Sequence, residues 1–307
     1  MRTAVMTDTN SGISVQEGSE QGIHVLPMPV IVDGVGYTEG VDITHAQLYA
    51  ALEAGKAAYT SQPAAGDVTD MWDSILDRGA EEIVYIPMSS GLSGACETAF
   101  ILSREYEGRV FVVDNRRISV IQRSSVLDAL YLSRLGMRAA DIKAQLEKSA
   151  FDASAYICVD TLKYLKKGSR ITAAGASLAT AMNLHPVLNF RGGKLDAECV
   201  ARGHKQMQKT LIKLMETDIK NRFQFIPAQE IALYTAGTLT DSQDAQAWNA
   251  RVQKAFPEYK VAYHELSCSI ACHVGPGAMA ICMSLVNRFL SCKEGNRWRN
   301  QSCVKVD

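Results

Sequence analysis

EIVYIPMSSGLSGACETAFILSR, residues 82–104, combines a strand, a turn and a helix in the order typical of an α/β protein. Residues 83–86 are β-branched or aromatic, as in a buried parallel strand, and Pro87 ends the run. The turn at 88–94 is rich in serine and glycine, and a helix-like stretch begins at Ala95. Such a turn places serine hydroxyls and unpaired backbone N–H groups at a helix N-terminus, which predicts an anion site.

Two more specific interpretations of this turn fail on their residues. Residues 91–95 (GLSGA) depart at the last position from the G-x-S-x-G pattern that surrounds a nucleophilic serine. No Gly-Lys-Ser or Gly-Lys-Thr follows, although a phosphate-binding Walker loop requires one. A helix-capping turn that binds nothing explains the stretch equally well, so its role depends on the rest of the chain.

The first half of the chain alternates strand-like and helix-like segments. This alternation predicts a parallel sheet with helices on both faces. Ligands of such sheets bind beyond the carboxyl ends of the strands. Polar turns occur at three of these ends, at residues 8–11, 89–94 and 114–117.

The pattern changes after about residue 150. Residues 185–190 and 195–200 flank the turn RGGK and predict a β-hairpin. The apolar run at 278–290 follows Pro276, which suits a first helical turn, and predicts a helix. This half has the character of an α+β domain.

A chain of 307 residues is long enough for one large or two medium domains, and we expect a boundary near the change of pattern. The prediction is an α/β domain over residues 1–155 and an α+β domain over residues 156–307. Hydrophobic residues make up 47% of the chain and charged residues 21%, which is enough for a full core.

Charge and hydropathy exclude several partners. The net charge of −1 argues against a nucleic-acid-binding protein. The N-terminus runs directly into a strand-like segment without a long apolar region, and no apolar run reaches membrane-spanning length. A cytoplasmic location is therefore expected.

The eight cysteines are expected to be reduced core residues. Cys268, Cys272 and His273 form a C-x3-C-H pattern that suggests a metal ion, but no second pair at zinc-site spacing accompanies it. We therefore expect no metal site and no cofactor.

Taken in order, a set of short motifs resembles the DegV family of bacterial fatty-acid-binding proteins. Each motif is weak alone, and the ordered set spans most of the chain. The matching segments are TDT (7–9), YTEGVDI (37–43), TSQP (60–63), SSGLSG (89–94), VD (113–114), DTLKYLKKGSRI (160–171), NLHP (183–186) and HVGPGA (273–278).

This resemblance implies a two-domain α/β protein that encloses one long-chain fatty acid between its domains. It also implies a partner, because DegV-like carriers of the fatty acid kinase type present the acid to a separate ATP-dependent kinase subunit. That kinase phosphorylates the bound carboxylate, and the carrier has no nucleotide site. The absence of a Walker loop or a dinucleotide fingerprint in this sequence agrees with such a division of labour.

The resemblance also assigns roles to individual residues. Thr60, Ser61 and Ser93 match the positions where the family holds the carboxylate, and Arg170 and His273 match residues near that head group. Hydroxyl donors are physically suited to this role, because a carboxylate buried without partners costs several kcal/mol. Burial of each methylene of the acyl chain contributes about 0.8 kcal/mol in return.

Other residues are expected to support this site or to contact a partner. Within the matching turns, the supporting positions are Ser90, Gly91, Gly94 and Gly277. Exposed basic residues would form a surface for a kinase or for transient contact with an anionic membrane, namely Lys166, Lys167 and Arg202. A solvated charge without a partner explains Arg202 equally well.

The chain departs from the family pattern near the expected head group. Ser169 replaces the second glycine of a Gly-Gly-Arg motif, and Cys272 and Val274 replace threonines on either side of His273. Ala95 and Asn115 replace hydroxyl residues elsewhere in the motifs. A shifted head-group network or a somewhat different ligand would follow.

Two other functions are compatible with the residues. A hydrolase of acyl esters would use Ser93 or Cys272 with His273, although the sequence identifies no acid to orient the histidine. Alternatively, the turn at 89–94 would bind a small phosphate ligand. The carrier remains the favoured interpretation because it accounts for the whole ordered set of motifs.

Overall fold

The computed structural model describes residues 2–178 and 184–286. The described strands, in chain order, are β1 (Thr3–Asp8), β2 (Ile23–Leu26), β3 (Pro29–Val32), β4 (Val35–Thr38), β5 (Ala58–Thr60), β6 (Glu82–Ile86), β7 (Val110–Val112), β8 (Ala153–Cys158), β9 (Leu184–Phe190), β10 (Asp196–Arg202), β11 (Ile231–Gly237), β12 (Val261–Glu265) and β13 (Met279–Leu285).

The described α-helices are α1 (Val15–Gln21), α2 (His45–Glu53), α3 (Ala65–Asp77), α4 (Ala95–Leu102), α5 (Ser119–Arg134), α6 (Ala139–Lys148), α7 (Lys163–Gly168), α8 (Ala173–Ser177), α9 (His204–Arg222), α10 (Ser242–Ala255) and α11 (Cys268–Val274). None of the helices in these described parts of the chain has the length and apolar character needed to span a membrane.

The first half of the chain forms a parallel sheet with strand order β2-β1-β6-β7. Alternate residues of its strands point to opposite faces, so Val5 and Val84 pack towards α5 and α6 while Met6 and Tyr85 pack towards α3 and α4. Both faces are therefore covered by helices, as the alternation of the sequence predicted.

A small antiparallel sheet, ordered β4-β3-β5, lies beside the parallel sheet. Its apolar side packs with α2 against α11 through residues that include Val30, Leu48 and Ala271. The small sheet is thus anchored to a helix that comes more than 200 residues later in the chain, and it brings β5 next to that helix.

The second half forms a six-stranded mixed sheet with strand order β10-β9-β8-β13-β11-β12. Helices α9 and α10 cover one face, where Trp248 and Met207 are completely buried. The hairpin β9–β10 is antiparallel, which confirms the prediction from the RGGK turn. The fold is therefore a parallel-sheet α/β half followed by an α+β half, as expected.

Helix α5 lies between the two large sheets. It contacts β1 and β6 on one side and β8, β11 and β13 on the other. Arg117, which precedes the helix, is 1% exposed and donates to the Ser125 and Ser284 hydroxyls and to the carbonyl oxygens of Ser149 and Ala150. One buried guanidinium thus ties α5, the end of α6 and strand β13 together.

The predicted helix at 278–290 is wrong over the described residues. Residues Met279–Leu285 form strand β13, which pairs antiparallel with both β8 and β11 at the centre of the six-stranded sheet. A strand buried on both faces reads as a continuous apolar run, so periodicity cannot distinguish it from a buried helix. Residues 287–290 of that prediction lie outside the described residues.

The two-domain division remains a prediction. Strand β8 begins at Ala153, so the chain enters the six-stranded sheet between the end of α6 at Lys148 and that residue. The predicted boundary after residue 155 therefore falls inside β8.

Candidate functional site

A cleft of about 520 Å³, counting space open to solvent, lies where the two halves of the chain meet. Elements of the first half line one side and elements of the second half line the other. The lining residues are Asn10, Met28, Thr60, Ser61, Met88, Leu92, Ser93 and Ile118 from the first half, and Leu165, Arg170, Leu195, Ser269, Ile270, His273 and Val274 from the second.

The five residues predicted to hold a carboxylate all line this one cleft: Thr60, Ser61, Ser93, Arg170 and His273. Thr60 belongs to β5, and Ser61 and Ser93 belong to the turns after β5 and β6. Arg170 lies in the segment after α7, and His273 lies on α11. The fold therefore brings together side chains that are up to 213 positions apart in the sequence, as the contact between Thr60 and His273 shows.

His273 is the centre of the polar contacts. Its Nε2 lies 2.8 Å from Thr60 Oγ1. Burial and the nearby Arg170 guanidinium lower the pKa of His273 to about 4, so the ring is neutral at pH 7. A neutral imidazole offers one donor and one acceptor, and it carries no charge that competes with Arg170.

Gly168 makes room for this histidine. A Cβ atom at residue 168 would lie only 2.3 Å from His273 Nδ1. Glycine at the last position of α7 therefore permits the close approach of α7 to α11, which also places Leu165 and Val274 in the cleft wall.

Arg170 supplies the positive charge of the cleft. Its Nε donates to the Leu92 carbonyl oxygen at 3.2 Å, and a second nitrogen donates to the carbonyl oxygen of Gly168. Among the described residues, no carboxylate forms an ion pair with it. The guanidinium is thus held in place by neutral acceptors, and its positive charge is available to pair with an anion in the cleft.

The hydroxyl of Ser93 lies at the start of α4. Its Oγ accepts a hydrogen bond from the Ala95 N–H at 3.2 Å, which leaves the hydroxyl hydrogen for a further acceptor. Ser61 is exposed at the mouth of the cleft. Both side chains are therefore available as donors at the same polar end as His273.

The remaining wall of the cleft is mainly aliphatic and thioether. It includes Met28, Met88, Leu92, Ile118, Leu165, Leu195, Ile270 and Val274. Several of these residues belong to one hydrophobic cluster between the sheets. A mostly apolar cavity with a few convergent polar groups is the usual form of a site for a small amphipathic ligand.

The predicted supporting residues do not line the cleft, but three of them make close contacts with neighbouring segments. Ser90 donates to Asp114 Oδ2 at 2.6 Å. A Cβ at Gly91 would lie 2.6 Å from the Gly192 carbonyl oxygen, and a Cβ at Gly277 would lie 2.4 Å from Asp160 Oδ2. The fourth, Gly94, is the N-cap residue of α4 and has no side chain to make a capping hydrogen bond.

The turn at 89–94 uses most of its hydrogen-bond donors within the protein. Ser89 Oγ donates to the Gly192 carbonyl oxygen, and the Gly91 N–H donates to Ser89 Oγ. The Ser90 N–H points to Asp114, and the Leu92 and Ser93 N–H groups point to the Ser89 carbonyl oxygen. An anion at this place depends mainly on side-chain hydroxyls and Arg170 rather than on free backbone N–H groups.

Cys272 and His273 lie on helix α11, one residue apart and on different faces. Cys272 is buried and does not line the cleft, and burial raises the pKa of its thiol to about 12. A thiol of this kind is protonated at neutral pH and is a poor nucleophile.

The basic residues assigned to partner contacts are exposed. Lys166 and Lys167 lie in the last turn of α7, and Arg202 lies at the end of the edge strand β10. The helix that carries the lysines is the one that also forms a wall of the cleft.

Two polar lining residues, Asn10 and Ser269, were not predicted. Ser269 lies four residues before His273 on α11, so both side chains face the cleft. Its hydroxyl contacts Asn10 Oδ1 and Glu39 Oε2 at 2.9 and 2.8 Å. The polar turn at 8–11 was a signal for Asn10, whereas Ser269 required knowledge that residues 268–274 are helical.

The fold and the cleft together define a class: an α/β protein whose parallel sheet and mixed sheet enclose an amphipathic cavity. The model of the DegV family, described as an uncharacterised protein family, matches residues 2–285. The chain belongs to the DegV family.

Relatives and solved structures agree with this assignment. A DegV domain-containing protein of Staphylococcus aureus N315 is 31% identical over 285 residues, which cover 92% of this chain and 96% of that protein. A DegV domain-containing protein of Deinococcus radiodurans is 31% identical over 284 residues, covering 92% of this chain and 98% of that protein.

A solved DegV family protein from Thermus thermophilus, described by its fatty acid binding, superposes with a TM-score of 0.83 at 29% identity and covers 93% of this chain and all of that chain. A stearic acid-binding protein from Eubacterium ventriosum superposes with a TM-score of 0.82 at 17% identity, covering 92% and 98% of the two chains, which shows the shared fold.

Proposed function

We propose that this protein binds one long-chain fatty acid in the cleft, with the carboxylate at Thr60, Ser61, Ser93, Arg170 and His273. The observation that carries the proposal is the division of the cleft into one polar end and an aliphatic wall. The fatty acid binding described for the Thermus thermophilus relative supports the same ligand class.

The energetics of the cleft suit such a ligand. Each methylene moved from water into the aliphatic part contributes about 0.8 kcal/mol, so an acyl chain of about sixteen carbons gains on the order of 10 kcal/mol. The carboxylate would lose several kcal/mol if it were buried alone. The guanidinium of Arg170 and the hydroxyls of Thr60 and Ser93 offset this loss through charge-assisted hydrogen bonds.

We further propose that the bound acid is presented to a separate ATP-dependent fatty acid kinase. This step rests on the family resemblance and on the exposed Lys166 and Lys167 next to the cleft wall. A kinase surface of negative charge would be attracted to this side of α7. The same lysines, with Arg202, would support transient contact with an anionic membrane surface from which a fatty acid is taken up or released.

The arrangement favours a carrier over an ester hydrolase. Ser93 and His273 share the cleft, but a histidine base needs an acid to orient it. The imidazole Nε2 contacts the Thr60 hydroxyl, and Nδ1 lies beside Gly168, where an added Cβ would be 2.3 Å away. Within the described parts of the chain, the ion pairs formed by histidines involve His45 and His185 and not His273.

The arrangement also disfavours a phosphate-binding site in the turn at 89–94. Most backbone donors of this turn are already bonded within the protein, and the Asp114 carboxylate contacts Ser90. A phosphate placed there would meet a negative charge and few free N–H groups.

Native mass spectrometry of the purified protein, followed by solvent extraction and lipid analysis, tests the proposal. We expect one long-chain fatty acid per protein molecule, or uptake of one when palmitate or oleate is added. An unchanged apo mass after this addition would refute the carrier. Turnover of a p-nitrophenyl ester that is abolished by Ser93→Ala would favour the hydrolase.

Substitutions at the polar end should weaken retention of the acid without unfolding the protein. A hydrogen bond to a charged group is worth about 1.5–3 kcal/mol, so Ser93→Ala or Thr60→Ala should each weaken binding roughly 10- to 100-fold. A fluorescent fatty acid titration measures the affinity, and circular dichroism checks the fold.

Thr69→Ala is the matched control for these variants. Its hydroxyl lies on the partly exposed side of α3 and, among the described residues, bonds to the carbonyl oxygens of Ala65 and Gly66 in its own helix. It should bind like the unmodified protein. Equal affinity of the control and of the double variant Ser93→Ala with Thr60→Ala would remove both residues from the site.

A further inference from the structure

A cluster of metal-ligating side chains lies at the start of α11, and none of its three residues lines the cleft. One ligand atom from each of Glu39, His45 and Cys268 lies within 4.8 Å of the other two. These residues come from the loop after β4, the first position of α2 and the first position of α11. We infer that they form a binding site for a zinc-like divalent transition metal.

The histidine is oriented for this role. Its Nε2 lies 2.9 Å from the Leu266 carbonyl oxygen, which can only accept, so Nε2 carries the hydrogen. In the neutral ring this leaves Nδ1 as the lone-pair nitrogen. A ligating histidine usually donates its other ring N–H to a carbonyl or carboxylate, which fixes the ring and its tautomer.

The carboxylate is oriented in the same way. Thr9 Oγ1 and Ser269 Oγ both contact Oε2 of Glu39, at 2.7 and 2.8 Å. Oε1 is then the oxygen left to face a ligand. Hydrogen bonds that fix a ligating carboxylate from behind are a common feature of protein metal sites.

The charges at this place favour a cation. Cys268 is 1% exposed and Glu39 is 5% exposed, and a second carboxylate, Glu265 Oε2, lies 3.6 Å from His45 Nδ1. Burial raises the pKa of the Cys268 thiol, and the neighbouring Glu39 and Glu265 raise it further. A bound divalent ion would replace the thiol proton, which is released to solvent, and would neutralise the adjacent carboxylate.

The donor set selects the class of metal. A thiolate, an imidazole and a carboxylate suit zinc and similar ions, whereas magnesium and calcium prefer oxygen ligands alone. Bond lengths of about 2.0–2.3 Å place the ligands of a tetrahedral zinc roughly 3.4 Å apart, so the ligand atoms, which lie within 4.8 Å of one another, would close by up to about 1.4 Å. His45 is 34% exposed and gives the ion a path from solvent.

This inference does not depend on the fatty acid. The sequence predicted no metal site because no second pair at zinc-site spacing accompanies the C-x3-C-H pattern at 268–273. In the structure, the described cluster pairs Cys268 with residues near positions 39 and 45 instead. The site would fasten α11 to α2 and to the loop after β4 at the end opposite to His273.

Cobalt(II) reports thiolate coordination directly, because a bound thiolate gives a ligand-to-metal charge-transfer band. The full chain is purified without metal under reducing conditions, titrated with cobalt, and then back-titrated with zinc. We expect a saturable band at one ion per chain that zinc removes. The Cys272→Ser variant, which changes a buried cysteine one turn later on the same helix, should show the same band.

Two variants make the test decisive. Cys268→Ser should abolish the band, and His45→Gln should weaken cobalt binding by at least the ~10- to 100-fold that loss of an outer-shell partner costs. His45 is partly exposed, so its replacement should leave the fold intact. The Cys268→Ser variant still contains Cys292 and Cys303, so a band of unchanged intensity in that variant would assign the thiolate to another cysteine and overturn the proposal. The absence of a saturable band in the unmodified chain would overturn it as well.

Discussion

At the scale of single residues, the polar end of the cleft combines a neutral histidine with an arginine that lacks a carboxylate partner among the described residues. Burial keeps His273 uncharged, and Arg170 is held by carbonyl oxygens. The motifs of the sequence identified these residues because each motif carries a hydroxyl, an imidazole or a guanidinium at a fixed place. The polar turn at 8–11 indicated the region of Asn10, whereas the place of Ser269 beside it depends on a tertiary contact.

Ser169 shows what one departure from the family pattern costs. It caps α7 with φ of 56°, in the left-handed region that favours glycine. Ser169→Gly should therefore raise the free energy of unfolding by about 0.5–1 kcal/mol, as measured by urea denaturation. Ser169→Ala keeps the Cβ atom and removes only the hydroxyl, so it should give no such gain. Equal stabilisation by both variants would contradict the backbone explanation.

At the scale of elements, the sequence predicted what periodicity and turn chemistry can encode. The strand, turn and helix at 82–104 appear as β6 and α4. The sequence THAQ at 44–47 also has the pattern of a capping box, and Thr44 and Gln47 form this box at the start of α2. The central strand β13 was taken for a helix because every position in it is apolar or small. The residues of β8 and β11 that pair with it are more than 40 positions away in the chain, beyond the reach of a local pattern.

The turn at 89–94 and the hairpin β9–β10 pack backbone to backbone. A Cβ at Gly91 would lie 2.6 Å from both the Gly192 carbonyl oxygen and Gly193 Cα. Gly91→Ala should force the two elements apart and lower the free energy of unfolding by about 1–3 kcal/mol. Gly193→Ala is the control, since a Cβ there meets no atom within 4 Å. Thermal unfolding that ranks the two variants the other way would disprove this packing.

At the scale of the whole molecule, α5 joins the two large sheets through buried polar contacts. Ser124 Oγ lies 2.9 Å from the Tyr234 hydroxyl, and Gln122 donates to Thr7, Asp8 and Ile86 of the parallel sheet. Polar residues on both sides of one helix do not fit a single amphipathic pattern, so the sequence did not indicate a helix shared by two sheets.

Arg117 should be the most sensitive residue of this junction. Arg117→Ala removes a buried cation together with its hydrogen bonds to two hydroxyls and two carbonyl oxygens, so it should cost about 3 kcal/mol or more. The adjacent Arg116 pairs with Asp114 at the surface and is 44% exposed, so Arg116→Ala should cost less than ~1 kcal/mol. Urea denaturation followed at several probes compares them. A similar small loss in both variants would show that the junction does not depend on Arg117.

The place of β13 in the six-stranded sheet has a consequence for synthesis on the ribosome. The sheet consists of two blocks, β10-β9-β8 and β11-β12, and among the described strands it is β13, at Met279–Leu285, that joins them. The parallel sheet is complete once Val112 has emerged. The six-stranded sheet is complete only when β13 emerges, some 170 residues later, and until then its two blocks have open edges. At about 5–20 residues per second, the nascent chain spends on the order of ten seconds in this half-built state. The cleft takes its final shape only after that interval.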